Sequence, residues 1–282
     1  MSAMQQRYDE GAEAYQRWWA PVLAPSALAV LDLVAEPRSD AVAPRHLVDL
    51  GTGTGVLARA AVRRWPAARI DAADFSRGML AVAGALAERE LAPAERRRVR
   101  WLQAHATALP FADGSVDAVV SSFVVQLVPS RPPVYREALR VLRPGGRLAF
   151  VSWLADETPF APHEAFDDAL DDVGVAAGDD EERLDEEARA GDFVSVRAAS
   201  DSLRRAGFRN VHAEARTLEY GWTRERFADY KLRYDEHSFL EGLDRSVRRR
   251  VERRFRERIA LLRADAFTLR APVVYARGDR PG

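Results

Sequence analysis

The sequence predicts an α/β fold with a doubly wound, mainly parallel sheet, and three observations support this prediction. An apolar strand, a glycine-dense turn and an amphipathic helix follow one another in residues 46–61, HLVDLGTGTGVLARAA, which is the start of a βαβ unit. Two final apolar segments at 211–220 and 267–277 predict a closing antiparallel hairpin. Four further strand-like segments alternate with helical ones between residues 61 and 211. They lie at 69–75, 99–104, 116–121 and 147–153.

The helices are predicted from apolar periodicity and from their start and stop residues. Residues 8–33 indicate two helices separated near 21–25, where two prolines stand. Ser76 is a predicted N-cap for a helix that reaches about residue 90. A helix over 134–142 is predicted to stop at Pro144-Gly145-Gly146, and a helix over 195–206 to stop at Gly207.

The turn after the first strand is built for close approach of a ligand. Gly51, Gly53 and Gly55 carry no β-carbon, so backbone N–H groups at the helix N-terminus can contact a nucleotide-like ligand. A dinucleotide fold needs Gly or Ala where Val56 stands, which argues against a nicotinamide-dependent oxidoreductase. Asp49, just before the first glycine, would repel a pyrophosphate and attract an ammonium group.

DLGTGTG resembles motif I of the class I S-adenosylmethionine-dependent methyltransferases, although an ordinary tight βα turn is the alternative for the glycines alone. ADFSRGML resembles the second motif of that family, and LPFADGSVDAVVSS resembles a segment of its ubiquinone and menaquinone biosynthesis-type, small-molecule branch. The resemblance covers about residues 8–153 well. It implies a Rossmann-like seven-stranded sheet of order 3-2-1-4-5-7-6 with strand 7 antiparallel. It also implies S-adenosylmethionine as cofactor.

The predicted domain organisation is an N-terminal helical cap over residues 1–45 and a methyltransferase domain over 46–282. Two helical insertions, at about 154–194 and 221–265, interrupt this domain and are predicted to form a lid over the cofactor, because they leave from the carboxyl edge of the sheet. The second insertion contains SVRRRVERRFRERIALLR, in which apolar residues share one helical face and arginines the other. A solvated face, partly paired with the acidic first insertion, is favoured there over nucleic-acid binding.

Composition excludes several classes of function. With 42 basic and 43 acidic residues the formal net charge is -1, which gives no electrostatic case for nucleic acid or an anionic membrane. The chain has no cysteine, so thiolate metal sites and disulfides are excluded, and no metal is predicted. The N-terminus lacks a signal-peptide apolar core and no later segment offers the roughly 18 apolar residues of a membrane span, which predicts a cytoplasmic protein. A homodimer is one assembly that the sequence allows.

The acidic residue at the tip of the second strand, Asp74, is predicted to hold the ribose hydroxyls. Asp71, in the body of that strand, is expected to be a solvated or capping carboxylate. In family members with a similar YD-x-x-A-x-x-Y opening, the matching tyrosines lie near the methionine end of the cofactor, with core packing as the alternative. The predicted cofactor-binding set is Tyr8, Tyr15, Asp49, Gly51, Thr52, Gly53, Asp74, Phe75, Met79, Ala104, His105, Ala106, Ser122 and Gln126.

His105 is the clearest departure from the family pattern. The residue at this position, after strand three, is usually an aspartate that accepts a hydrogen bond from the adenine amino group. We expect the neutral imidazole of His105 to accept that bond instead. The alternative is that the side chain points away and the backbone of residues 104–106 recognises the ring alone.

The predicted function is transfer of a methyl group from S-adenosylmethionine to the O, N or C atom of a small-molecule acceptor, in secondary metabolism or quinone-like biosynthesis. A non-catalytic or repurposed S-adenosylmethionine-binding protein is the alternative. His163 and His237, one in each insertion, are the candidate general bases, with a surface or packing role as the alternative. Residues 121–127 read SSFVVQL, where nucleic-acid methyltransferases usually carry an Asn/Asp-Pro-Pro-aromatic motif, which argues against that class.

Overall fold

The computed structural model describes residues 3–36, 43–156, 158–176 and 191–282. The chain divides into two compact units. The first unit contains residues 1–155, 191–216 and 273–282, and the second contains residues 156–190 and 217–272. The predicted cap at 1–45 is thus part of the first unit, and most of both predicted insertions forms the second. The acidic run at 179–187 and part of the first insertion lie outside the described residues.

A seven-stranded sheet forms the centre of the first unit. Its order is β3-β2-β1-β4-β5-β7-β6, and β5 and β7 are antiparallel, which confirms the predicted topology. The strands are β1 (His46–Leu50), β2 (Arg69–Asp74), β3 (Val99–Gln103), β4 (Val116–Ser122), β5 (Leu142–Trp153), β6 (Arg209–Gly221) and β7 (Thr268–Asp279). The central pair is in the register Val48↔Val119, and both residues are fully buried. A strand covered on both faces reads as a continuous apolar run, as these two do.

The fifth strand is longer than the sequence pattern predicts. The preceding helix already ends at Val141, and Pro144-Gly145-Gly146, predicted as the helix stop, lies within β5, where the pairing with β4 shifts between Val116 and Ala118. Gly145 has a φ of 73°, which glycine adopts without strain. The segment therefore forms an irregularity inside the strand, and the predicted strand start at residue 147 was too late.

Asp71 is not solvated as the sequence suggested. Its side chain is fully buried in β2, where His46 Nε2 lies 2.7 Å from Oδ2, and Arg100 donates two hydrogen bonds at 2.8 and 3.0 Å. Burial by itself raises the pKa of a carboxyl, but these bonds from His46 and Arg100 outweigh it and lower the pKa of Asp71. Asp71 is therefore a buried ion-pair residue of the sheet and no competitor for the ligand.

Three N-terminal helices replace the two that were predicted: α1 (Ala3–Glu10), α2 (Ala12–Trp18) and α3 (Ala20–Ala35). Pro21 lies in the first turn of α3, where a missing N–H costs nothing, and Pro25 is accommodated inside the helix. Among the described residues no single helix is long and apolar enough to cross a membrane, while the pair α2 and α3, bent by 79°, passes that test by length and composition only.

The remaining helices of the first unit flank the sheet. They are α4 (Val56–Arg64), α5 (Arg77–Glu90), α6 (Pro93–Arg96), α7 (Arg131–Val141) and α9 (Val196–Ala206). The predicted N-cap of α5 is confirmed, because Ser76 Oγ accepts a hydrogen bond from Met79 N at 3.1 Å. The start of α5 is thereby fixed directly after the carboxyl end of β2.

The second unit is helical. Its elements are α8 (Ala161–Val173), α10 (Arg224–Tyr230), a π-helical turn (Lys231–Asp235), α11 (His237–Gly242), α12 (Arg245–Leu261) and a 3₁₀ turn (Ala264–Phe267). Phe255 of α12 packs edge-on against Phe166 of α8, with ring centroids 5.4 Å apart. The predicted apolar face of α12 is confirmed by the burial of Val251, Phe255 and Ile259.

The arginines of α12 are partly paired with acids of the first insertion, as predicted. Arg258 contacts Asp168 and Asp172 of α8, and Arg254 contacts Asp172. Exposed pairs of this kind contribute little stability in water. This arrangement agrees with a solvated, charge-balanced face.

Candidate cofactor site

The glycine turn between β1 and α4 has the backbone geometry that its sequence requires. Gly51, Gly53 and Gly55 have φ values of 69°, 53° and 82°, a region that residues with a β-carbon rarely adopt. Gly51 N donates to Ala73 O at 2.8 Å, which ties the turn to β2. Gly53 N donates to Asp74 Oδ2 at 2.7 Å. The turn is therefore held against the carboxyl end of the neighbouring strand.

The three glycines differ in what surrounds them. A β-carbon on Gly51 would lie 2.3 Å from a methyl group of Val124, and one on Gly55 would lie 2.7 Å from the ring of Trp101. A β-carbon on Gly53 would meet nothing within 4 Å. Gly51 and Gly55 are thus needed for packing, whereas Gly53 faces open space at the N-terminus of α4. Gly53 is the position at which a ligand can approach the backbone.

Asp49, in β1 beneath this turn, is a buried carboxylate with one free oxygen. Its side chain is 1% exposed, and Oδ2 accepts hydrogen bonds from Thr52 Oγ1 at 2.6 Å and Ala58 N at 3.1 Å. Oδ1 is buried and has no hydrogen-bond partner among the described residues. Burial, together with the nearby charge of Asp74, raises the pKa of Asp49 to about 7 against the bonds from Thr52 and Ala58. Such a group is expected to gain from a cationic or hydrogen-bond-donating ligand.

Asp74 ends β2 and is 5% exposed. Gly53 N donates to its Oδ2, and Ser76 N donates to its Oδ1 at 2.9 Å. Each carboxylate oxygen can accept a second bond, so both remain able to bind hydroxyl groups. Burial raises the pKa of Asp74, and the charge of Asp9 adds to this effect. Asp49 and Asp74 thus bring two carboxyl groups with raised pKa values into one site.

The predicted tyrosines form an aromatic cluster with Phe75, directly after Asp74. The Tyr8 ring packs edge-on against Tyr15, at 6.4 Å between centroids, and against Phe75, at 6.0 Å. Burial raises the pKa of the Tyr8 phenol, and the Asp74 charge contributes in the same direction. The structure therefore brings three residues of the predicted set, from α1, α2 and the end of β2, into one aromatic cluster.

Asp9 is a residue of this region that sequence reasoning missed. Its Oδ1 accepts hydrogen bonds from Ser76 Oγ at 2.6 Å and from Gly78 N at 2.9 Å. Gln5 Nε2 also donates to Phe75 O at 3.1 Å. The bond from Ser76 is the main cause of the lowered pKa of Asp9. Asp9 thus links α1 to the N-terminus of α5 by hydrogen bonds. The only feature of the sequence that could have indicated this role is its position after Tyr8 in the YD opening.

His105 lies after β3, as predicted, and its side chain contacts Thr107. Nδ1 accepts a hydrogen bond from Thr107 N at 3.3 Å and lies 2.8 Å from Thr107 Oγ1. Nδ1 is therefore engaged within the loop itself. The role of His105 toward the adenine ring stays a prediction.

The other predicted side chains are mostly engaged within the fold. Met79 is 2% exposed, and Gln126 Oε1 accepts a hydrogen bond from Ser152 Oγ at 2.9 Å. Ser122 ends β4 directly before Phe123, whose φ of 53° is unusual for a residue with a β-carbon. The Phe123 ring lies 4.6 Å from that of Trp153, at the end of β5. Backbone strain of this kind clusters at binding sites.

The two candidate bases belong to the second unit and differ in environment. His163, on α8, is half-buried, with its ring 5.2 Å from Phe160 and 5.4 Å from Phe227. His237 is 47% exposed and lies 3.6 Å from Glu241. The described residues contain no cluster of three or more His, Asp or Glu side chains that could hold a metal ion.

The first unit thus presents a free buried carboxylate oxygen, a second carboxylate with spare acceptor capacity and an open glycine at a helix N-terminus. These groups fit a ligand that carries a positive charge and adjacent hydroxyls. S-adenosylmethionine has an ammonium group, a sulfonium centre and a ribose. The residues present therefore fit this cofactor.

Comparison with known proteins gives the same result. Residues 48–150 match the methyltransferase domain family. A demethylmenaquinone methyltransferase of Thermus thermophilus is 42% identical over 124 residues, which are 44% of this chain and 52% of that protein. A ubiquinone/menaquinone biosynthesis C-methyltransferase of Paracoccus denitrificans is 32% identical over 204 residues, 65% of this chain and 77% of that protein.

Among solved structures, a phosphoethanolamine N-methyltransferase of Haemonchus contortus in complex with S-adenosyl-L-methionine is similar in fold. The TM-score is 0.57 at 17% identity, over 100% of this chain and 61% of that chain. The chain therefore belongs to the class I S-adenosylmethionine-dependent methyltransferases of the ubiquinone/menaquinone biosynthesis type, and its cofactor is S-adenosylmethionine.

Proposed function

We propose that the protein transfers the methyl group of S-adenosylmethionine to a small hydroxylated aromatic molecule of the phenol or quinol type. The observation that carries methyl transfer is the pair Asp49 and Asp74 at the open glycine turn. The aromatic acceptor is supported by Phe123 and Trp153, which bring two rings together at the carboxyl ends of β4 and β5, where ligands of open α/β sheets bind. The names of the Thermus and Paracoccus relatives support a quinone-like substrate.

The cofactor supplies an electrophilic methyl group on a positively charged sulfur. The residues of this chain then have to bind, orient and exclude water. Asp49 and Asp74 hold the charged and hydroxylated parts of the ligand, and the cluster of Tyr8, Tyr15 and Phe75 covers them with aromatic surface. Alignment of the two reactants alone can lower the activation free energy by about 7–11 kcal/mol.

His105 contributes to adenine recognition in this proposal through Nε2, because Nδ1 is engaged by Thr107. Ala104 and Ala106 flank it, and Ala104 N is already committed to Asp74 O at 2.9 Å. The N–H group of Ala104 is therefore used within the sheet, and the proposed contact to the ring comes from the side chain of His105.

The experiment is a turnover assay with methyl-labelled S-adenosylmethionine and matched panels of phenols, reduced naphthoquinones and amines. We expect labelled product with a hydroxylated ring, release of S-adenosylhomocysteine in equal amount, and loss of both in Asp74→Ala. Cofactor binding measured by calorimetry, without turnover on any panel, would favour the non-catalytic or repurposed alternative. Labelled product from amines only would contradict the proposed acceptor class.

A further inference from the structure

Arg59 is a buried charged residue near the start of α4, close in sequence to the glycine turn. It is 7% exposed, and its Nη1 group donates a hydrogen bond to Thr54 O at 2.5 Å. Its Nε group donates a second bond to Glu90 Oε2, at the end of α5, at 3.0 Å. Burial lowers the pKa of Arg59 and the charge of Glu90 opposes this, but a guanidinium stays protonated in either case. The side chain of Arg59 therefore joins the glycine turn to α5 through a permanent positive charge.

The bond from Arg59 replaces one that a longer helix would make. A helical N–H group bonds the carbonyl four residues earlier, so extending α4 backwards by one residue would join Ala58 N to Thr54 O. Instead, Ala58 N donates to Asp49 Oδ2 at 3.1 Å, and Thr54 O accepts the bond from Arg59. Gly55, with a φ of 82°, interrupts the helical path between them. Arg59 thus satisfies the carbonyl that would otherwise compete with Asp49 for the N–H group of Ala58.

The cofactor site depends on this choice of partners. With Oδ2 of Asp49 held by Thr52 Oγ1 and Ala58 N, the buried Oδ1 is the oxygen without a partner among the described residues. With α4 beginning at residue 56, Gly53 stays in the turn and faces open space. Thr54 is only 3% exposed, so its carbonyl would lack a donor without Arg59. A buried acceptor without a donor is costly, and recruiting Ala58 N would be the nearest remedy.

We propose that Arg59 is a positioning residue of the cofactor site. By binding Thr54 O, its guanidinium keeps the N–H group of Ala58 on Asp49 and keeps the glycine turn open for the cofactor. Glu90 holds the guanidinium in place from α5. The proposal concerns cofactor binding alone. It does not depend on the methyl acceptor, so a failure to find turnover would leave its tests unaffected.

The first test measures the Kd of S-adenosylhomocysteine by isothermal titration calorimetry. Arg59→Met should bind about 10-fold more weakly than wild type, because a charged hydrogen bond at the turn is lost. Arg98→Met is the matched control, since Arg98 donates to three carbonyls at the other end of α4 and beyond it, Val62 O at 2.9 Å, Trp65 O at 3.2 Å and Ala68 O at 3.0 Å. Both variants should have lower melting temperatures, but Arg98→Met should keep its Kd within twofold. A wild-type Kd in folded Arg59→Met would overturn the proposal.

The second test observes the amide proton of Ala58 by NMR without cofactor. In wild type this proton should move downfield as Asp49 ionises, with a midpoint near pH 7, because a bond to a charged carboxylate is stronger. Burial and the charge of Asp74 raise the pKa of Asp49, and the charge of Arg59 opposes them. In Arg59→Met the movement should fall to half or less, since Ala58 N turns to Thr54 O. A purely structural role would leave the full movement in place, as Arg98→Met should, and that result in Arg59→Met would refute the inference.

A milder variant separates positioning from folding. Arg59→Lys keeps the charge and the apolar stem, but a single ammonium group does not reproduce the fork that joins Thr54 O to Glu90. We expect a Kd for S-adenosylhomocysteine between those of wild type and Arg59→Met, and a partly reduced movement of the Ala58 amide proton. If Arg59→Met does not fold, a folded Arg59→Lys protein with wild-type values of both would overturn the proposal.

Discussion

Replacing Asp49 by Asn tests the electrostatics of the cofactor site most directly. Asn keeps the size of the side chain and an acceptor for the Thr52 and Ala58 bonds, and it removes the charge from the buried Oδ1. The pKa of about 7 in the folded protein lies some three units above that of an ordinary aspartate. Ionising Asp49 in the folded protein therefore costs about 4 kcal/mol more than ionising an ordinary aspartate. Binding of a cation can offset this cost.

The sign of the pH effect follows from that difference. Because the folded state binds the proton more tightly than the unfolded state, Asp49 contributes most to stability below pH ~4, and this contribution is lost as the pH rises to about 7. The free energy of unfolding of Asp49→Asn relative to wild type should thus increase by about 2–3 kcal/mol between pH 5 and pH 8. Asp71→Asn is the matched control, since the pKa of Asp71 is lowered and its stabilisation is lost as the pH falls.

The affinity for the cofactor should also depend on pH, because it depends on the ionisation of Asp49. A positively charged ligand requires ionised Asp49, so the Kd of S-adenosylmethionine should rise toward tenfold per unit as the pH falls below 7. Asp49→Asn should lack this component and bind about 10- to 100-fold more weakly at pH 8. The assay is isothermal titration calorimetry from pH 5.5 to 8.5, in buffers of different ionisation enthalpy to count protons. Parallel pH curves for wild type and Asp49→Asn would refute the reasoning.

Three further predictions concern the same unit. Asp9→Ala should weaken cofactor binding about 3- to 30-fold and speed amide hydrogen exchange in residues 3–10, because the bond from Ser76 that fastens α1 is lost; unchanged exchange there would contradict this role. Gly53→Ala should fold and lose cofactor affinity, whereas Gly55→Ala should lower the melting temperature, because only the β-carbon at position 55 would clash with a ring. Equal melting temperatures of the two variants would contradict this distinction. His105→Ala should weaken S-adenosylhomocysteine several-fold, and an unchanged Kd would leave adenine recognition to the backbone.

The sequence by itself determined the sheet and the identity of the cofactor. Alternating strand and helix periods restrict the topology to a few right-handed solutions, and the order and antiparallel last strand followed from the family resemblance. The glycine turn was predictable because each positive φ is a local backbone requirement. Asp49 and Asp74 could be named because their distance along the chain from that turn fixes their places at the strand ends.

Contacts between residues far apart in sequence were decided only by the tertiary structure. Asp9 meets Ser76 across 67 positions, and Asp71 meets Arg100 across 29. Sequence periodicity does not predict such pairs, because many residues could contact a given polar side chain and only the folded structure determines which one does.

Lys231 is the clearest example of a residue whose environment only the tertiary structure determines. In the sequence it is the single lysine among 42 basic residues, and no pattern around it predicts its surroundings. In the structure it is a buried cation shared by the carboxylates of Asp235, at the end of the π-helical turn, and of Glu236, directly after it. Burial decides the strength of a charge interaction, because it removes the water that would screen the charges. Burial is a property of the assembled unit, so the tertiary structure alone could show which of the many charged residues of this chain are strongly coupled.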